Sequence, residues 1–283
     1  MTPLTIVDSH VHLWNPDQFR YAWLDGLPQL NRAFQPSDLA AASASANISK
    51  FIVVECGCEP GQRLAETDWI STLANSEPRL KGIVAQAPLE RGQAVRPELE
   101  ILASRPLVKG VRRNLQSELE ADFCLRPEFL SGVRLLAEFG FTFDLCLRRD
   151  QLPAVAELAR RVPEVTFVLD HLGKPDVRNQ SFQPWANDLD ALAALPNVVA
   201  KISGLITEAD WYNWQPAEVA PYLKQAFASF GPDRLMFGSD WPVMTLATSY
   251  QRWLQTVEEL LPFSNEQDWV QFFRANAERI YRV

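Results

Sequence analysis

Three histidines serve a chain of 283 residues, and two of them stand one residue apart in Val7-Asp8-Ser9-His10-Val11-His12-Leu13-Trp14. In an extended strand, residues i and i+2 point to the same side, so His10 and His12 deliver two imidazoles to one point. Imidazoles converging in this way can hold a metal ion or polarise an oxygen. The third histidine, His171, ends the apolar run "VTFVLDH". Asp240, in "FGSDWPV", is the carboxylate that fits beside them as a general base or a metal ligand. Asp170 precedes His171 directly and is open between tuning that ring and capping a loop.

These residues need elements to position them. Eight β-branched or aromatic runs recur: Leu4 to His10, Phe51 to Glu55, Lys81 to Ala87, Leu107 to Arg113, Phe141 to Leu147, Val165 to His171, Asn197 to Gly204 and Arg234 to Asp240. Most are continuously apolar, as the strands of a parallel sheet are when both faces are covered. Helical patterns lie between them. "SDLAAASASA" offers Ser37 or Asp38 as its cap, and "PEFLSGVRLLAEFG" has Pro127 in its first turn and Gly140 at its end. Further patterns are "AETDWISTLA", "DQLPAVAELARRV", "PWANDLDALAAL", "PAEVAPYLKQAFASFG" and a last helix "SNEQDWVQFFRANAERIYRV". With no break in composition, the expectation is α/β class: a single-domain (β/α)8 TIM barrel over residues 1–283. An open doubly wound sheet is the alternative, but no G-x-G-x-x-G or Walker motif accompanies it.

In such a barrel, chemistry gathers at the C-terminal ends of the strands. Those ends carry His10 and His12, Glu55, Gln86, Arg112 with Arg113 and Asn114, Arg148, Asp170 and His171, Lys201 and Ser203, and Asp240 with Trp241. All three histidines fall at strand ends, which a random scatter would rarely produce.

Composition narrows the partners. The hydrophobic fraction of 47% suits a packed globular protein. The net charge of −8 argues against nucleic acid and against an anionic membrane surface, though not against an anionic small molecule. The opening "MTPLTIVDSH" has no basic segment followed by a long apolar one, and no apolar run reaches about 18 residues. Cys56, Cys58, Cys124 and Cys146 fit neither a zinc ribbon nor a C-x-x-C redox motif, so reduced thiols in a cytoplasmic protein are expected.

Together, His10, His12, His171 and Asp240 give the chain a resemblance to the amidohydrolase superfamily. It looks in particular like the amidohydrolase-related branch that holds lactonases of sugar acids and of aromatic breakdown products. The resemblance spans essentially the whole chain. Its blocks are "DSHVHLW", "YAWL" (Tyr21 to Leu24), "RAFQPSDL", "AETDWISTLA", "KGVRR", "FVLDHLGKP", "KISGL" and "LMFGSDWPV". Trp14 and "YAWL" bring it closer to L-fuconolactonase-like proteins than to pyrone-dicarboxylate lactonases. "VECGC" departs from the fuconolactonase pattern, because Glu55 stands where that pattern has a neutral amide.

The resemblance implies a hydrolase that opens a small-molecule lactone, a sugar-acid lactone of the L-fucono-1,5-lactone kind. Asp240 would activate water, while His10, His12 and His171 polarise the carbonyl. Arg112 or Arg113 would bind a substrate oxygen or carboxylate, only one of them facing the mouth by strand alternation. Lys201 and Glu55 would bind hydroxyls, and Trp14 and Trp241 would pack on the sugar ring. The superfamily's two-metal set cannot be assembled, because the fifth strand ends "DLCLRRD" without a histidine. No cofactor is therefore obligatory. A single zinc ion would take His10, His12 and Asp240, with water or Glu55 completing four ligands. The alternatives are a lactonase for a dicarboxylate such as 2-pyrone-4,6-dicarboxylate or muconolactone, and a zinc-dependent decarboxylase of the same superfamily.

Overall fold

The structure is a computed structural model and describes residues 5–283. Eight strands follow one another in space in chain order, each parallel to the next. They are β1 (Ile6–Val11), β2 (Ile48–Val54), β3 (Leu80–Gln86), β4 (Val108–Arg112), β5 (Thr142–Leu145), β6 (Phe167–Leu169), β7 (Val198–Ile202) and β8 (Leu235–Phe237). The first expected strand began at Leu4, which lies outside the described residues. Just beyond β8 the chain returns to β1. The Asp240 amide donates to the His10 carbonyl at 2.8 Å, and the His12 amide donates to the Trp241 carbonyl at 2.7 Å. The sheet is thus a (β/α)8 barrel whose seam runs through the predicted site.

The helices are α1 (Pro36–Ala42), α2 (Arg63–Leu73), α3 (Arg96–Ala103), α4 (Pro127–Phe139), α5 (Leu152–Arg161), α6 (Gln183–Ala193), α7 (Pro216–Phe230) and α8 (Tyr250–Leu260). α3 and α8 are additional to the patterns singled out above. α1 is capped one turn earlier than expected: Gln35 and Asp38 cap each other's backbone reciprocally, so neither Ser37 nor Asp38 is the N-cap. α4 ends at Gly140 in the left-handed conformation, φ 65°. The expected last helix is divided into α9 (Glu266–Val270), a π-helical turn (Gln271–Ala275) and α10 (Asn276–Tyr281). Among the described residues no helix is long and apolar enough to cross a membrane.

Inside the barrel, Val7, Ile52, Val54, Val84, Val168, Val199 and Met236 pack with Ala277, Ile280 and Tyr281 of α10. This apolar layer is the floor on which the site stands. Strand alternation then brings Asp170 above Val168 and Lys201 above Val199, on the same inward face. β1 keeps pace through a register shift between Asp8 and Val11, which lets both Val7 and His10 face inward.

Candidate active site

Above the apolar floor lies a tier of buried charge. The Lys201 ammonium is 2.6 Å from Asp144 Oδ2, 3.1 Å from Asp170 Oδ1 and 3.2 Å from His10 Nδ1. The Tyr281 hydroxyl donates to Asp144 Oδ2 at 2.6 Å, and the Thr142 hydroxyl donates to Oδ1 at 3.1 Å. Arg112 donates from Nε to Glu55 Oε1 at 2.6 Å and lies 3.3 Å from Asp170 Oδ2 through Nη1. Burial works against ionising Asp170, but Lys201, His10 and Arg112 hold its carboxyl well below the usual range. Burial raises Asp144 despite the pull of Lys201.

The upper tier faces a cavity of about 450 Å³ lined by His12, His171, Asp240, Lys174, Gln116, Gln86, Trp23 and Thr207 among others. Asp240 Oδ1 lies 3.2 Å from His12 Nε2, 3.7 Å from His10 Nε2 and 4.0 Å from His171 Nε2. His12 Nδ1 is 2.9 Å from the Val54 carbonyl, which only accepts, so Nδ1 carries a proton and Nε2 is the nitrogen turned toward Asp240. His171 Nδ1 meets the Ser203 hydroxyl at 2.9 Å. Burial pushes His171 down to about 4, so its ring is neutral at pH 7. Burial opposes ionisation of Asp240, yet His171 and the two other histidines hold it below the usual carboxylate range. Asp240 and His171 both have positive φ, 63° and 54°. Asp and His tolerate this region better than most residues, and its cost is met at sites that need a fixed geometry.

The cavity sorts the expected residues. His12, His171 and Asp240 line it, and His10 sits beneath them, fully buried. Five assignments need correction. Trp14 is buried, its indole N–H donating to the Leu30 and Arg32 carbonyls, so it offers no face to a sugar. Trp241 is buried edge-on against Phe34. Lys201 is enclosed in the charged tier and does not reach a hydroxyl in the cavity. Glu55 is held by Arg112 and by the Gly57 amide at 2.6 Å, which removes it both as a hydroxyl partner and as a fourth metal ligand. Arg112 and Arg113 both border the cavity, because Arg113 lies past the end of β4 where alternation lapses. Their guanidinium groups are already taken: Arg112 by Glu55 and Asp170, Arg113 by Glu90 at 2.9 Å and Glu118 at 2.6 Å. Asp170, for its part, pairs with His10, Lys201 and Arg112, and its charge favours the protonated His171 ring against the larger, opposite effect of burial.

Lys174 was the residue to find. Its ammonium donates to Gln116 Oε1 at 2.6 Å and is 3.9 Å from Glu208. Among the described residues lining the cavity, it is the cation with no carboxylate at hydrogen-bond distance. It lies within "DHLGKP", three residues after His171, so the sequence block was visible but its role was not.

Glu66 of α2 stands behind the cavity, near Tyr21 and Cys58, with Oε1 buried and unpartnered among the described residues. Burial, reinforced by Glu55, raises its carboxyl from 4.5 to about 8. The folded protein therefore keeps a proton that the unfolded chain loses above about 4.5, and stability falls as pH rises from there through about 8. Thermal unfolding of Glu66→Gln should show a smaller drop in Tm between pH 5.5 and 8.5 than the parent protein. An identical drop in both proteins would contradict this.

The donor set suits a divalent ion. The ligand atoms of His10, His12 and Asp240 lie within 4.8 Å of one another, all buried, and His12 Nε2 and the Asp240 carboxylate already converge. Nitrogen and carboxylate oxygen in this mixture are what zinc takes.

Comparison with known proteins agrees with the geometry. The sequence model of the amidohydrolase family matches residues 7–283. An L-fucono-1,5-lactonase of Burkholderia multivorans is 34% identical over 263 residues, which is 89% of this chain and 87% of that protein. A 2-pyrone-4,6-dicarboxylate hydrolase of Comamonas testosteroni is 26% identical, over 85% of this chain and 77% of that one. A crystal structure of an amidohydrolase from Burkholderia multivorans with bound zinc is 31% identical, with a TM-score of 0.86 and 99% of both chains covered. The barrel, the histidine–aspartate centre at its mouth and a match over nearly the full length agree: the chain belongs to the amidohydrolase family.

Proposed function

We propose that this protein hydrolyses a lactone, and that its substrate is a neutral sugar-acid lactone of the L-fucono-1,5-lactone kind. The observation that carries this reading is an ionised Asp240 between His12 and His171, facing a cavity whose arginines are already neutralised. The lactonase relatives support the reaction class. A dicarboxylate needs several free cations, and the cavity offers Lys174. The Comamonas relative keeps the pyrone dicarboxylate as the second reading.

In the proposed reaction, Asp240 removes a proton from water as the water oxygen bonds to the lactone carbonyl carbon. The carbonyl oxygen gains negative charge and takes a hydrogen bond from His171 Nε2–H, whose Nδ1 accepts from Ser203. The tetrahedral carbon then expels the ring oxygen, and Asp240 returns its proton to that leaving oxygen. The product is an open hydroxy acid. His12 is pinned through Nδ1 by the Val54 carbonyl and meets Asp240 Oδ1 through Nε2 at 3.2 Å, so it orients the carboxylate. A zinc ion, when bound by His10, His12 and Asp240, would supply a Lewis acid for the carbonyl and a more acidic water.

Hydrolysis of a panel of sugar-acid lactones and of 2-pyrone-4,6-dicarboxylate, followed with a pH indicator, tests the reading. Turnover of a sugar lactone is expected. Turnover confined to the pyrone, or none at all, would overturn it. Lys174→Met should raise KM about tenfold and change kcat little, since it removes one charge-assisted hydrogen bond to the substrate. An unchanged KM would take Lys174 out of substrate binding.

A further inference from the structure

Two of the amide side chains that line the cavity have their oxygen already engaged. The Gln116 backbone N–H donates to Asn114 Oδ1 at 2.9 Å, and the Lys174 ammonium donates to Gln116 Oε1 at 2.6 Å. Both of these groups can only donate, so the atoms facing them are the oxygens, and each side chain is left with its NH2 group. Neither NH2 group donates to the protein among the described residues, and Asn114, Gln116 and Lys174 all border the cavity. The segment that carries the two amides is pinned. The Leu115 amide donates to the Cys146 carbonyl at 2.8 Å, and Gln151 Nε2 donates to the Leu115 carbonyl at 2.9 Å. Arg148 Nη1 donates to the carbonyls of Gln116 and Glu118 at 2.6 and 2.8 Å. Asn114 and Gln116 follow β4, whereas Asp240 follows β8. Strands that stand four apart in a ring of eight lie on opposite sides of the mouth.

We infer that Asn114 and Gln116 are specificity-determining residues: with Lys174 they present only hydrogen-bond donors to the side of the lactone away from Asp240, so the protein selects lactones that carry an acceptor oxygen across the ring from the reacting carbonyl. A hydroxyl there accepts through its lone pairs. A bare CH2 in its place leaves desolvated donors without a partner, and a site built to bond an oxygen rejects the analogue that lacks it. Acceptors gather at the other end of the cavity. Asp240 is one, and the Thr207 hydroxyl donates to the Gly204 carbonyl at 2.7 Å, which leaves its lone pairs for a ligand. Donors at one end and acceptors at the other seat the ring one way round.

The inference rests on lactone hydrolysis as the reaction, and two isosteric variants test it. Asn114→Asp keeps the oxygen that accepts from Gln116, and Gln116→Glu keeps the oxygen that accepts from Lys174. Each replaces only the cavity-facing NH2 by an oxygen. Three substrates are compared: the best sugar lactone, its analogue deoxygenated across the ring from the carbonyl, and its analogue deoxygenated next to the carbonyl. For the parent protein, KM should rise about tenfold with the first analogue and about threefold at most with the second. Each variant should raise KM for the intact lactone about tenfold with kcat little changed, and should raise it far less for the analogue deoxygenated across the ring, where the contact is already gone. A disturbed loop, or a general effect of the added charge, would strike all three lactones alike, and that result overturns the inference. Coupling to the oxygen next to the carbonyl, or an unchanged KM in both variants, overturns it as well. If the parent hydrolyses only 2-pyrone-4,6-dicarboxylate, the sugar reading fails while the donors are still tested. Its carboxylates accept without donating, so both variants must raise its KM, and an unchanged value overturns the inference. If neither variant folds, the preference of the parent protein between the two analogues decides.

Discussion

Asp240→Asn should lower kcat for lactone hydrolysis by about a thousandfold or more while leaving the fold intact. The amide matches the carboxylate in shape but cannot take a proton from water or return it to the leaving oxygen. It also removes the charge beside His12 and His171. Replacing either histidine alone should cost less, about ten- to a hundredfold, because each orients or donates to a charge that Asp240 still generates. Steady-state kinetics of the three variants on the best sugar lactone check this order. Near-normal hydrolysis by Asp240→Asn would remove the base assignment, and an equal loss in all three would indicate a unit with no single base.

Gly204→Ala is the second large effect expected, from a residue with no chemistry of its own. Gly204 follows β7 with φ +57°, and a Cβ there would lie 2.5 Å from His171 Nδ1 and 2.7 Å from Asp240 Oδ2. The neighbours that must give way are the two groups that carry the proposed reaction. Loss of kcat by about a hundredfold or more is expected, with about 1–2 kcal/mol of stability from the left-handed backbone. Gly140→Ala is the matched control. It has φ +65° at the end of α4, with nothing within 4 Å of the added carbon, so it should lose similar stability and keep its kcat. Equal kcat in the two variants would mean that the placing of His171 and Asp240 is not what limits the reaction.

The fold was legible because the strands are buried on both faces and so read as apolar runs, each followed by polar residues at the mouth. His10, His12, His171 and Asp240 were legible for the same reason. What failed was contact between residues far apart in sequence. Arg112 looks like a substrate clamp until Glu55, 57 positions earlier, is found on its guanidinium. Trp14 looks like a shelf for a sugar until the following loop folds over it and accepts from its indole through Leu30 and Arg32. Lys174 was missed because it follows a run of left-handed residues, His171 and Leu172 among them, where neither helical nor strand periodicity places a side chain.

α10 acts on the site from a distance. Tyr281 reaches under the barrel to Asp144, and Asp144 holds the lysine that addresses His10. Asp240 is in turn stitched to the His10 backbone across the seam. One lysine thus ties α10 at the floor of the barrel to the first strand at its mouth, so a disturbance of α10 is transmitted to the His10 ring by charge rather than by contact.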